Sequence, residues 1–208
     1  MKQEERREQT QHILLEATEE LIREKGCSQT TLTDIMKRTG LSKGAIFHYV
    51  SGKDELYINV LKAKLAESNE RFMNEVNKQG KEKQFEGPMN AIAHGMTKLE
   101  SRDDVSNQIL MYLIGKSDQP GIAEIVAGFY RESTATSRKW IETGQEAGVI
   151  PKSIDAERTA ELFELLSFGL RVRGLIGAKS DVFGTKEYED FIIGILQPGE
   201  VGKGGRSR

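Results

Sequence analysis

Apolar positions in this chain recur at intervals of three and four residues, and runs alternating at the two-residue period of a strand are scarce. The pattern predicts an all-α protein. Ile13, Leu14, Ala17, Leu21 and Ile22 form one stripe, with Glu16, Glu19, Glu20 and Glu24 on the remaining surface. That predicts a helix over residues 9–25, ended by Gly26. Leu32, Ile35 and Met36 share a face of a short helix that follows. Leu56, Val60, Leu61, Leu65, Phe72 and Val76 give a long helix over 53–78 its core face. Ser51 or Gly52 caps it, and Asp54 and Glu55 sit in its first turn, where the helix dipole favours acids. Beyond a polar break at 80–87 the periodicity predicts helices over 88–99, 104–115, 121–146, 155–176 and 186–196. Pro88 suits the first turn of the first of these, and Asp155 caps the fourth.

The segment 31–53 is the most informative. Thr31 can cap the short helix, with Asp34 at its third position as a capping-box variant. Gly40 supplies the positive φ that a helix exit needs. Ser42 caps a second short helix, and Leu41 and Ile46 have the spacing of a hydrophobic staple, which fixes the corner between the two. Helix, short glycine-containing turn and helix make a helix-turn-helix, with the second helix expected to enter a DNA groove. The charge agrees: no acid lies between Asp34 and Asp54, whereas Lys37, Arg38, Lys43 and Lys53 are basic. Small residues at Gly44 and Ala45 would let backbone approach base edges. Phe47, His48 and Tyr49 add aromatic and hydrogen-bonding reach, and Lys43 is the expected base reader. Ile35, Leu41, Ile46, Val50 and Leu56 are expected core.

Thr31-Leu32-Thr33-Asp34-Ile35, then Thr39-Gly-Leu-Ser-Lys-Gly-Ala-Ile-Phe-His-Tyr-Val50, then Lys53-Asp54-Glu55-Leu56 resembles the DNA-binding domain of the TetR family of bacterial transcriptional regulators. The resemblance covers roughly residues 8–60. It implies an all-helical homodimer, with a three-helix DNA-binding head and a larger domain that binds an effector and dimerises. Carried over by position, it implies that Lys43, Gly44, Ala45, Phe47 and Tyr49 lie on the recognition helix, and that Thr31, Thr33 and Lys53 meet phosphates. Ser42 and His48 belong to the same candidate DNA-binding set. Two positions depart from the family pattern. Phe47 stands where Tyr is usual and lacks a hydroxyl for a phosphate, and Val50 stands where a larger Phe is usual. The expected division is a DNA-binding domain over 1–52, a ligand-binding and dimerisation domain over 53–196 and a flexible tail over 197–208.

In the later helices apolar residues outnumber what one small core needs. Ala160, Leu162, Phe163, Leu165, Leu166, Phe168, Leu170, Val172 and Leu175 occupy a broad face, and Phe191, Ile192, Ile195 and Leu196 follow. The resemblance implies that these two helices, about 155–196, pair with their copies, Gly169 and Gly174 permitting close approach. A wholly intrachain core is the alternative. Met96, Met111, Tyr112, Phe129, Tyr130, Trp140 and Phe163 are candidate lining for a largely apolar effector, with Arg138 or His94 as an anion partner.

Composition narrows the function. Net charge is −2, so DNA binding must come from a local surface. No apolar run approaches the ~18 residues of a membrane span, and the charged start MKQEERREQTQ has no secretory core. Lys2, Arg6 and Arg7 near that start are diluted by Glu4, Glu5 and Glu8, which leaves a DNA-reaching arm and a frayed terminus both open. The single cysteine, Cys27, excludes an internal disulfide and suits a cytoplasmic protein. His12, His48 and His94 have no companions at metal-ligand spacing, and Gly115-Lys116-Ser117 lacks the glycine-rich loop of a phosphate site. Neither a cofactor nor an enzymatic activity is expected. The expected function is a repressor released from a palindromic operator by a small molecule; an activator or co-regulator whose ligand promotes DNA binding is the alternative.

Overall fold

A computed structural model describes residues 3–80, 83–178 and 180–197. The helices, in order, are α1 (Gln3–Gln29), α2 (Leu32–Thr39), α3 (Lys43–Phe47), α4 (Lys53–Lys78), α5 (Glu86–Met96), α6 (Val105–Ile114), α7 (Pro120–Glu146), α8 (Ala156–Leu175) and α9 (Thr185–Leu196). No strand occurs among the described residues.

The local signals operate as their chemistry demands. Gly26, at φ 77° and ψ 165°, breaks α1 three residues before its end. The Thr31 hydroxyl accepts from the Asp34 backbone N–H at 3.2 Å, and Asp34 Oδ2 accepts from the Thr31 N–H at 2.9 Å. That reciprocal box starts α2, and Gly40 at φ 72° ends it. Glu55 Oε2 reaches back to the Ser51 N–H at 2.6 Å, closing the approach to α4. Asp104 and Asp155 cap α6 and α8. The bounds of α1 and α5 move from expectation, α5 ending at Met96 rather than at residue 99. α1 begins at Gln3, residues 3–8 continuing the helical turn ahead of the apolar stripe. α5 begins at Glu86, ahead of Pro88, and Gln79 closes the break before it with hydrogen bonds to the Gln84 backbone at 2.8 and 3.1 Å.

Two compact units result. The first takes the chain to residue 64 together with 103–129. Its head core is Leu14, Leu21, Ile35, Ile46, Val50 and Leu56, with Leu41 and Tyr49 packed against it. The second takes 65–102 and the residues from 130 onward. Its core joins Met89, Leu99, Ile141, Ile150, Phe163, Leu170, Tyr188 and Ile192. The tail at 198–208 and Lys2 lie outside the described residues.

Gly174 does not serve the role expected of it. A Cβ there would lie 2.6 Å from Glu100 Cα, so its missing side chain admits the chain's own backbone. Glu100 fixes that corner: it pairs with Arg173 at 2.7 Å and accepts from the Thr185 N–H at 3.0 Å, tying the end of α8 to the start of α9. Gly169 has open space where its side chain would be.

Candidate nucleic-acid interface and effector cavity

The helix-turn-helix is α2, the Gly40–Ser42 corner and α3. Ser42 caps α3 by accepting from the Ala45 N–H at 3.2 Å. Ile46 is buried and anchors α3 to the head core, which turns the opposite face outward. Ser42, Lys43, Gly44, Phe47 and His48 around α3 are exposed, as are Thr31 and Thr33 at the start of α2, and Ala45 is half-buried. Phe47, 42 % exposed, carries the Lys43 ammonium 5.6 Å from its ring centre. That contact pre-orders a cation and an aromatic edge on one short helix. Tyr49 is half-buried against the core, with His48 set edge-on to its ring at 5.5 Å.

The basic residues divide. Arg38 forks to Glu20 at 2.8 Å and Glu24 at 2.7 Å, clamping α2 to the acidic side of α1. Lys25 pairs with Asp34 at 2.6 Å. The Lys53 ammonium donates to the carbonyls of Cys27 and Thr30, both at 3.1 Å, and lies 5.0 Å from the Tyr112 ring centre. Tyr57 donates to the same Cys27 carbonyl at 2.8 Å. These carbonyls need outside donors because α1 ends at Gln29 and the Thr31 N–H, which would serve the Cys27 carbonyl in a continuing helix, goes to Asp34. Lys53 therefore sits half-buried with two of its three donors engaged. Lys37 and Lys43 are exposed and carry no ion pair among the described residues.

Lys116, dismissed as part of a phosphate loop, pairs instead with Asp54 in the first turn of α4. Its ammonium lies 5.2 Å from the Tyr112 ring centre. Cys27 is buried, and burial pushes its thiol up to about 11. It is a packing residue at the helix break, far from a thiolate at neutral pH.

The second unit holds a cavity of about 210 Å³ lined from α4, α5, α7, α8 and α9. Met96, Trp140 and Phe163 line it, as does Phe72, which stacks on Trp140 at 5.4 Å. Trp140 Nε1 donates to Asn69 at 2.9 Å, so the ring is held at a fixed angle. Met111, Tyr112 and Phe129 belong to the first unit, and Tyr130 packs edge-on to Phe168 with its hydroxyl on Glu161 at 2.9 Å; none of the four lines the cavity. His94 is exposed and Arg138 is paired with Glu142 at 3.5 Å, both off the cavity. The charged lining is Glu164, Arg171 and the exposed Lys83. Glu164 and Arg171 are separated by two turns of α8 and share the face of Phe163, a spacing that marks them as inward-facing once Phe163 is known to be core. No group of residues suited to a metal ion occurs among the described residues, and no helix there is long and apolar enough to cross a membrane.

Residues 14–60 match the family model for bacterial regulatory proteins of the tetR family. No curated protein matches the chain. Among solved structures, the chain is similar to a protein from Syntrophomonas wolfei assigned to the TetR family of transcriptional regulators, at 14 % identity and TM-score 0.66, covering 97 % of this chain and 100 % of that one. It is similar to E. coli NemR in reduced form, at 16 % identity and TM-score 0.63, covering 90 % and 97 %. It is also similar to the fatty acid degradation regulator FadR of Bacillus halodurans, at 15 % identity and TM-score 0.61, covering 92 % and 96 %. At such identities the likeness is one of fold.

Proposed function

We propose that this chain, which carries the DNA-binding domain of the tetR family of bacterial regulatory proteins on the all-helical fold of that family's regulators, is a cytoplasmic, ligand-responsive repressor released from a palindromic operator. The observation that carries the reading is the formed helix-turn-helix, whose α3 is anchored by Ile46 and presents Lys43, Gly44 and Phe47 outward. The roles divide as a DNA reader over 1–52 and an effector-binding and dimerising part over 53–196. Thr31, Thr33, Ser42, Ala45, His48 and Tyr49 complete the proposed DNA-facing set, with Lys43 as base reader; Lys53, engaged with the Cys27 and Thr30 carbonyls, is proposed to support that surface rather than to bind phosphate.

Reading a palindrome needs two heads, with recognition helices roughly 34–36 Å apart in successive major grooves. An apolar seam on α8 supports pairing with a second copy. Leu162, Leu165, Gly169, Val172 and Ile176 recur at alternating intervals of three and four, the spacing of helices that pack side by side. Leu165 is 60 % exposed and Ile176 73 % exposed. The cavity supports an effector: a small molecule bound there would favour one arrangement of the heads, through a coupling of about 1–3 kcal/mol.

The test is selection of fragmented genomic DNA by the purified protein near physiological salt. An enriched inverted repeat supports the dimeric reader. A folded dimer that enriches nothing, with or without small-molecule extract, sinks it. An activator on the same fold is the second reading, and operator affinity that rises with ligand would select it.

A further inference from the structure

The cavity is chemically graded. On α7 its lining steps by helical turns from Ser133 and Ser137 to Trp140, Ile141 and Gly144, so hydroxyls give way to apolar groups along one helix. On α8 the lining positions Glu164, Ser167 and Arg171 fall on one face. These polar groups already satisfy one another. The Ser133 hydroxyl donates to Glu164, and the positive charge of Arg171 acts on the same carboxyl. Tyr188 donates to the Phe163 carbonyl at 2.5 Å, which leaves its oxygen to accept from Ser167 at 3.0 Å. Glu164 is only 8 % exposed, and burial raises its pKa against the pull of Ser133 and Arg171.

The polar end therefore holds one acidic and one basic side chain. An entering carboxylate meets Glu164, and an entering ammonium meets Arg171. Either charge would leave water without a counter-ion of its own, which is strongly disfavoured. Lys83 also borders the cavity, but it is exposed and its charge is screened by solvent. Size sets the other limit. At about 210 Å³ the space exceeds the roughly 150 Å³ apolar cavity that takes up benzene.

We infer that the effector is a compact, uncharged, largely apolar molecule, bulkier than a single six-membered ring and bearing one hydrogen-bonding group. Its skeleton lies against the Phe72–Trp140 pair, and its polar group faces Ser137 and Ser167. This inference rests on the ligand-responsive reading of the cavity and specifies its ligand class.

Trp140 is the chain's only tryptophan and lines the cavity, so its emission reports occupancy there. Three probes share one cage and differ in charge: 1-adamantanol, 1-adamantanecarboxylate and 1-adamantylammonium. None absorbs where tryptophan is excited. The alcohol is expected to change Trp140 emission saturably and to bind at least about 10-fold tighter than either ion. Ser137→Phe, which fills the cavity, removes that binding while the cooperative thermal transition is kept; Ser137→Leu is the smaller filler should the first variant fail to fold. An ion that binds as tightly as the alcohol, an alcohol that does not bind, or alcohol binding that survives the filled cavity overturns the inference. Operator binding is measured in parallel. An operator complex that ignores saturating alcohol while Trp140 senses it sinks the regulatory reading and leaves the ligand class standing. A complex released by a charged effector bound at Trp140 does the reverse.

Discussion

Lys53 and Lys43 have the same side chain and opposite surroundings. Lys53 serves two carbonyls left without donors at the end of α1, whereas Lys43 stands exposed on α3. Lys53→Met should lower unfolding free energy by about 1–3 kcal/mol, because buried acceptors lose a charged donor. Lys43→Ala should leave stability within about 0.5 kcal/mol and weaken operator binding at least about 10-fold. Urea unfolding and operator titration of both variants check the pair; equal effects on the two readouts would refute the division. The Tyr49 ring packs on the head core, so Tyr49→Ala would disturb the fold and Tyr49→Phe is the cleaner probe of its hydroxyl. Asp34 gives a pH signature. Its pairing with Lys25 and the bonds from Thr31 hold its carboxyl well below the usual carboxylate range. A depressed folded pKa contributes stability that is fully present above the unfolded value and lost as pH falls below about 4. The urea midpoint should fall with acidification in that window, and Asp34→Asn should flatten the fall.

The two glycines proposed for helix pairing separate at the level of the element. Gly174 sits against Glu100 backbone inside one chain, so Gly174→Ala overpacks and should destabilise by about 1–3 kcal/mol. Gly169 lies on the exposed seam with Leu165 and Ile176. Leu165→Asp should leave monomer helicity intact, convert a dimer to monomer in light scattering and abolish operator binding at the same head concentration. A variant that remains dimeric would show that the seam pairs with nothing. Helix existence was legible here because the stripes are long and the caps are local. The use of each glycine was not, since it depends on a neighbour 74 residues away in sequence, at Glu100.

For the whole molecule the net charge of −2 is a poor guide to DNA binding. Arg38, Lys25 and Lys53 are engaged within the head, which leaves Lys37 and Lys43 as the unpaired cations of α2 and α3. With Lys43 reading a base, two heads would neutralise roughly two phosphates through Lys37, giving a log–log salt slope of about −2. Operator titrations between low and physiological salt measure it directly. A slope far steeper would mean that Lys53 or the N-terminal arginines also reach phosphate.

Caps, turn residues and apolar stripes act over a few residues, so the sequence alone determined the helices, the helix-turn-helix and the core face of α3. Tertiary packing decided what those elements present. It turned Lys53 and Arg38 into clamps and gave Lys116 a partner in Asp54. It also gathered Met96, Trp140 and Phe163 around one cavity while placing Met111, Tyr112, Phe129 and Tyr130 elsewhere. An apolar side chain has the same periodicity whether it fills a core or lines a space, and a cation the same spacing whether it meets a carbonyl or a phosphate. Only the neighbours brought up from distant helices separate those roles.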